Sequence, residues 1–257
     1  MHVKDLLSLK GKVVFVTGGA GKFGKCIAEG AAEADGTVVI ASRNLENCKK
    51  LAAKFRERDF DVHALQVDQG DHQSVMALKK DIKQKFGGLD VFVNNAYLLP
   101  MLHYEDPLEK YAESMKVNAT GMFDIVREMA DLIAIRGGGS IINIGSMKGS
   151  FSPDFPLYEG TDMDSPPDYN FHKGGMIGLT HYLALKLAPK GIRVNCISPG
   201  GLFANQPEPF RSKYNEKVPL GRMANDDDIK GLIVLLASDA SAYLTGENIL
   251  MDGGLHA

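Results

Sequence analysis

The strongest constraint on this chain is an alternation. Short runs rich in β-branched residues recur along it, and a longer segment with helical spacing follows nearly every one. The strand-like runs lie at 12–17 (KVVFVT), 37–41, 62–67, 89–94, 140–144, 192–197 and 248–251. Helices are expected at 22–34, 45–58, 73–86, 108–115, 119–135, 168–188 and 226–238. The runs are continuously apolar, so both faces of the sheet must be covered, which favours parallel strands with helices on each side. Right-handed crossovers then give a doubly wound α/β fold, with the ligand crevice outside the carboxyl ends of the strands. No linker rich in Pro, Gly or Ser divides the chain, so residues 1–257 are read as one domain carrying all sites. The one long irregular stretch is 151–167, with four prolines, placed between a strand and a helix where sites form.

Composition narrows the function. The chain has 257 residues, with 29 Lys and Arg against 32 Asp and Glu, a net charge of −3. That balance carries no electrostatic footprint for nucleic acid and no polybasic patch for a membrane. Cys26, Cys48 and Cys196 are scattered and are read as small buried hydrophobes in a reducing compartment. The apolar run at 232–237 falls far short of the roughly 18 residues a spanning helix needs. The expectation is a cytoplasmic protein acting on a small molecule. The seven histidines show no metal spacing, so no metal is expected.

The first strand runs into Thr17-Gly18-Gly19-Ala20-Gly21-Lys22-Phe23-Gly24 and then a helix. Glycines in that context let the backbone approach a pyrophosphate, and the helix N-terminus supplies free N–H groups and positive dipole. The domain is therefore a Rossmann-type dinucleotide binder. After the second strand comes Ser42-Arg43 instead of the acid that would hold an NAD ribose. A guanidinium suits a 2′-phosphate, with Lys22 adding charge, so NADP is preferred over NAD. Tyr169 and Lys173 stand at i and i+4 on one helix face. A phenol is a poor base near neutrality, and a nearby ammonium is expected to lower its pKa by about two units. The pair suits proton exchange with an alcohol or carbonyl.

With these motifs in order, the chain resembles the short-chain dehydrogenase/reductase family over nearly all its length. Residues 17–24 resemble its phosphate loop and Asn94-Asn95-Ala96 its NNAG segment; residues 193–200 resemble its RVNxxxPG segment, and 245–254 its carboxyl-terminal segment. The resemblance implies a hydride transfer between nicotinamide and a carbonyl or secondary alcohol. It implies Tyr169 as general acid or base and Lys173 on the nicotinamide ribose. Ser146 would hydrogen-bond the reacting oxygen, and Asn118 would hold a water linking Lys173 to solvent. For the cofactor it implies Gly18, Gly21, Lys22, Phe23, Gly24, Ser42, Arg43, Asp68, Asn95, Ala96, Tyr169, Lys173, Pro199, Gly200 and Leu202. It also implies a homo-oligomer, a tetramer or dimer.

Several positions depart from the family. Lys22 stands where the short branch has a glycine, Tyr97 replaces the last glycine of NNAG, and Ala204 replaces a threonine that holds the carboxamide. Ser146 and Tyr169 are 23 residues apart. That separation and the glycine spacing resemble the branch that modifies nucleotide sugars, so a polyhydroxylated substrate is expected. Tyr158, Glu159, Asp162 and Asp164 of the insert are candidates for holding its hydroxyls. Residues 200–206 and the insert also resemble oxidoreductases encoded among surface-glycan genes. Met101, Met147, Met163 and Met176 are candidates for pocket or core, His172 is expected to point off the Tyr169–Lys173 face, and 202–219 is expected to cover the substrate. An epimerase or dehydratase that retains its nicotinamide, or a non-catalytic cofactor-binding regulator, are the alternatives.

Overall fold

A computed structural model describes residues 2–257. Its sheet has seven strands, all parallel, in the order β3-β2-β1-β4-β5-β6-β7. The strands are β1 (Val13–Thr17), β2 (Thr37–Ser42), β3 (Val62–Gln66), β4 (Val91–Asn94), β5 (Gly139–Ile144), β6 (Ile192–Pro199) and β7 (Asn248–Met251). The helices are α1 (Val3–Leu6), α2 (Lys22–Glu33), α3 (Leu45–Arg56), α4 (His72–Phe86), α5 (Leu108–Ser114), α6 (Met122–Ile135), α7 (Pro167–Leu187), α8 (Phe210–Lys217) and α9 (Lys230–Ala237).

The period of two along each strand sends neighbours to opposite faces. Val14, Val16, Val38 and Ile40 pack under α2, α3 and α9, with Ile27, Phe55 and Ile233. Phe15, Val39 and Phe92 pack on the other face, with Ile82, Met129 and Leu183 from α4, α6 and α7. Phe15 and Phe92 stack with centroids 5.3 Å apart. Strand order reverses between β1 and β4, where the chain winds outward in both directions, and a crevice opens at their carboxyl ends.

Two expectations are corrected and a third is refined. The segments read as separate helices at 108–115 and 119–135 are joined by a π-helical turn, Met115–Gly121. Gln69 ties this turn to the β3–α4 connection, its Nε2 donating to the Val117 carbonyl at 3.0 Å. The helix expected from 226 begins at Lys230. Asp226, Asp227 and Asp228 instead form a turn: the Asn225 side chain accepts from the backbone N–H groups of Asp227 and Asp228, and the Asp228 carboxylate pairs with Arg222 at 2.6 Å. Residues 202–219 contain a helix, α8, held by a small cluster of Leu157, Phe210, Tyr214, Val218 and Met223. Apolar residues at 210, 214 and 218 are the signal that marks it.

Candidate active site

The sheet delivers Ser146 just beyond the end of β5, where it caps a single turn over Met147–Gly149 and its hydroxyl accepts from the Lys148 N–H at 3.2 Å. Tyr169 and Lys173 come from the first two turns of α7, whose start is set by Pro167 at its first position. Lys173 is buried, and its Nζ donates to the Ile144 carbonyl at 2.6 Å. That contact ties α7 to the end of β5 and holds the ammonium 5.5 Å from the centre of the Tyr169 ring. Burial pushes the Lys173 ammonium down to about 8.

The expected lowering of the Tyr169 phenol is not seen in the protein alone. Burial pushes its pKa up, while the Ser146 hydroxyl pulls the other way. Desolvation of the phenolate outweighs what a lysine at this distance contributes.

Beside this pair lies a polar network that the sequence reading missed. The Asp168 side chain is fully buried and accepts from Ser114 Oγ at 2.5 Å and from the Tyr97 hydroxyl at 3.4 Å. Its other oxygen, Oδ1, has no partner. The Tyr97 and Tyr169 rings meet edge to face with centroids 5.1 Å apart, and Lys173 Nζ lies 5.2 Å from the centre of the Tyr97 ring. Tyr97 stands where the family's NNAG pattern has a glycine, and that departure was the signal in the sequence. His172 is buried off the Tyr169–Lys173 face, with Nε2 3.2 Å from Ser114 Oγ, and burial lowers its pKa.

Asn118 sits in the π turn. Its Nδ2 donates to the Leu98 carbonyl at 2.7 Å and to Ser114 Oγ at 3.0 Å, and its Oδ1 accepts from the Leu98 N–H at 2.9 Å. The carboxamide is thus taken up by the protein itself, and it fixes the loop after β4 against the network around Asp168.

The ten expected residues from Gly18 to Ala96 line one cleft of about 690 Å³. Gly18 has φ of +63°, and a Cβ on Gly24 would meet the Gly18 carbonyl at 2.1 Å, so the turn can close only with glycine at both positions. Asn95 Nδ2 donates to the Thr17 carbonyl at 2.9 Å, so this side chain holds the turn in shape. At α2, Gly21 offers no side-chain cap, the first turn has no acid, and Lys22 puts a cation at the positive end of the dipole. That arrangement is unfavourable unless an anion docks there. Arg43 is exposed at the cleft, and among the described residues no carboxylate pairs with its guanidinium. Asp68 is half-buried and accepts from the Gly70 N–H at 2.9 Å. A glycine cradle, a bare helix N-terminus and free cations form a donor set that fits the phosphates of a nicotinamide dinucleotide.

A second cavity of about 760 Å³ adjoins this cleft, sharing Lys22 and Phe23 with it. Ser146, Tyr169, Gly200 and Leu202 line it, as do Tyr158, Met163 and Asp164 of the insert. Lys173 and Pro199 lie beneath the surface; Pro199 pairs with Met251 at the end of β6. Glu159 and Asp162 are exposed and do not line the cavity; the Glu159 carboxylate instead lies 3.5 Å from Lys213. Met147 joins the cavity wall, whereas Met101 and Met176 are buried. From the segment expected to cover the substrate, Ala204, Gln206, Phe210 and Tyr214 reach the cavity. The three cysteines are free and buried.

Residues 19–256 match a family model described as enoyl-(acyl carrier protein) reductase. An uncharacterized oxidoreductase from Thermotoga maritima is 37% identical, with 96% of each chain covered. The post-translational flagellin modification protein A of Campylobacter coli is 30% identical over 96% of this chain and 98% of its own. Among solved structures, a gluconate 5-dehydrogenase from Burkholderia cenocepacia in complex with NADP and tartrate superposes with a TM-score of 0.89 at 28% identity, covering 99% and 98% of the two chains. A short-chain dehydrogenase from Leptospira borgpetersenii with bound NAD+ gives 0.87 at 31% identity, covering 100% and 96%.

Proposed function

The chain belongs to the short-chain dehydrogenase/reductase family, and from that premise we propose that it is an NADP-dependent oxidoreductase acting on a carbonyl or secondary alcohol of a sugar derivative. Its relatives are NAD(P)-dependent oxidoreductases. The observation that carries the reading is the convergence of Ser146, Tyr169 and Lys173 where the dinucleotide cleft meets a second cavity.

When bound, the nicotinamide accepts or supplies a hydride. The protein's own residues do the rest. The Tyr169 hydroxyl donates a proton to, or takes one from, the substrate oxygen. The Ser146 hydroxyl gives that oxygen a second hydrogen bond. Lys173, fixed on the Ile144 carbonyl, stands as a cation beside the phenol and favours its ionised form once the site is closed. Asn118 and Asn95 hold the loops that shape the two cavities. We infer one domain for the whole chain and a homo-oligomer in solution. No helix among the described residues is long and apolar enough to cross a membrane, and three free cysteines fit a reducing compartment such as the cytoplasm.

NADP is favoured by Arg43 and Lys22 at the cleft. The sugar derivative is favoured by hydroxyl and carboxylate groups from the insert, Tyr158 and Asp164, on the cavity wall. A flagellin-modifying relative extends this to a sugar destined for a surface glycan. Titration with NADPH and NADH, followed by nicotinamide fluorescence, tests the cofactor. NADPH should bind more tightly, and Arg43→Ala should weaken NADPH alone by roughly tenfold or more. Equal loss for both cofactors, or tighter NADH binding, removes the NADP assignment.

A further inference from the structure

We propose that Lys148 is the receptor for an anionic group, a carboxylate or a phosphate, on the substrate, so that the substrate is an acidic hydroxylated molecule and not a neutral polyol. The proposal rests on the active-site reading above and names its substrate class.

Lys148 follows Ser146 by two residues and lines the same cavity. It is largely buried, with only part of its surface reaching solvent. Its Nζ donates to the Tyr158 hydroxyl at 2.6 Å and to Ser165 Oγ at 2.8 Å. Asn170 Nδ2 in turn donates to Ser165 Oγ at 2.9 Å, so the holder is itself held. Both partners are neutral, and an ammonium has three protons to donate. Two hydrogen bonds fix its position, one donor remains, and no carboxylate pairs with it directly; Asp164, on the same cavity wall, acts on it only through space.

Several of the other charges around the cavity have polar partners of their own. Lys217 pairs with Asp154, and His256 lies 2.9 Å from Asp252. Asp164 faces His103 at 3.8 Å and accepts from the Ser165 N–H at 2.6 Å. Lys22 stands at the boundary with the dinucleotide cleft. Among the described residues, no carboxylate lies within ion-pair distance of Lys148. A buried cation in this position weakens the fold unless something pairs with it, and an apolar residue would make a better wall. Burial pushes the ammonium down to about 8, outweighing the opposing pull of Asp164. An arriving oxyanion supplies the missing partner.

Position selects the ligand. Lys148 Nζ lies 5.8 Å from the centre of the Tyr169 ring. An oxyanion on the lysine and a reacting oxygen on the phenol therefore belong to one small molecule, with the charge a few bonds from the reacting carbon. The insert supplies both hydroxyls that hold Lys148, which gives the stretch at 151–167 a purpose in specificity.

The test uses three probes of similar size: D-gluconate (carboxylate), D-glucose 6-phosphate (phosphate) and D-glucitol (neutral). Each is titrated by calorimetry into wild type, Lys148→Met and Lys148→Arg, with NADPH loaded. In wild type one anion should bind at least about tenfold more tightly than glucitol, and which anion it is identifies the group. Lys148→Met should erase that advantage while NADPH still binds, and Lys148→Arg should keep it. Failure of wild type to bind NADPH overturns the cofactor reading, and the probes are then run on the protein alone. The anion proposal is overturned if wild type binds the three probes equally or binds none. It is also overturned if the advantage survives in Lys148→Met. The wild-type comparison stands whether or not the variants fold.

Discussion

Two lysines flank the Tyr169 ring, Lys173 at 5.5 Å and Lys148 at 5.8 Å from its centre. Neither has a carboxylate partner among the described residues, and burial pushes each down to about 8 from the ordinary 10.5. Stability must then depend on pH in a definite direction. Between about 8 and 10.5 the unfolded chain holds the lysine protons more firmly than the folded one, so stability rises with pH. Cys26, Cys48 and Cys196 are all raised above 9.0 by burial, and they reverse the trend above that pH because the unfolded thiols ionise first. The melting temperature of the cofactor-free protein should therefore rise from pH 8 to 9. The rise should shrink in Lys148→Met by an amount corresponding to about 1 kcal/mol. A flat profile, or an unchanged rise in the variant, would show that the lysines are solvated. Tyr169→Phe removes the proposed proton donor. It should cut turnover about 10²- to 10⁴-fold while saturable NADPH binding persists. Turnover within tenfold of wild type would assign proton transfer to another group.

The seven strands were legible because most of them are buried on both faces, and an uninterrupted apolar run has few alternatives. Tyr169 and Lys173 were legible because four residues along one helix fix their separation. The π turn was not, because its cause is tertiary: Gly121 packs on the backbone of the β3–α4 connection, where an added Cβ would lie 2.1 Å from the Gln69 carbonyl oxygen. No local pattern records that contact. Asp168 and Lys148 were missed for the same reason, since their roles are set by Ser114, Tyr158 and Ser165 from other segments. Gly121→Ala tests the turn. The clash is with backbone and cannot be relieved by a rotamer, so the variant should lose about 1–3 kcal/mol of stability. Asn118 stands one helical turn earlier, so turnover should fall as well. A variant with wild-type stability to urea would show that the π turn shifts freely. Deleting 159–164 is the matching test of the insert. Cofactor affinity should persist and substrate affinity should fall, because the deletion removes Met163 and Asp164 from the cavity wall and leaves the dinucleotide cleft untouched. Unchanged turnover would make the insert a spacer.

One face of α7 is largely exposed, with only Phe171 meeting a neighbour, the Tyr111 ring at 6.3 Å. Asp168, His172, Lys173, Met176, Thr180, Leu183 and Leu187 turn inward. Opposite them stand Phe171 at 60% exposure, Tyr182 at 58% and Leu185 at 82%. Gly175 and Gly178 lie on the same stripe between them, and a Cβ added at either would meet nothing within 4 Å. A helix apolar on both sides is expected to be buried on both sides. Large side chains at the ends of the stripe and glycines in its middle let a second helix approach closely, and a two-fold axis through that point would pair α7 with its own copy. The same helix carries Tyr169 and Lys173, so association would brace the element that positions the proposed proton donor. Sedimentation velocity should therefore find a species of at least twice the 27.9 kDa chain mass. Leu185→Glu, exposed in the single chain and so harmless to its fold, should shift that species towards the monomer, because it would bury an unpaired carboxylate against its symmetry mate. The variant should also lose turnover at dilutions where wild type stays assembled. A monomeric wild type, or a variant that assembles unchanged, would leave the α7 stripe exposed for some other reason and remove this link between assembly and the active site.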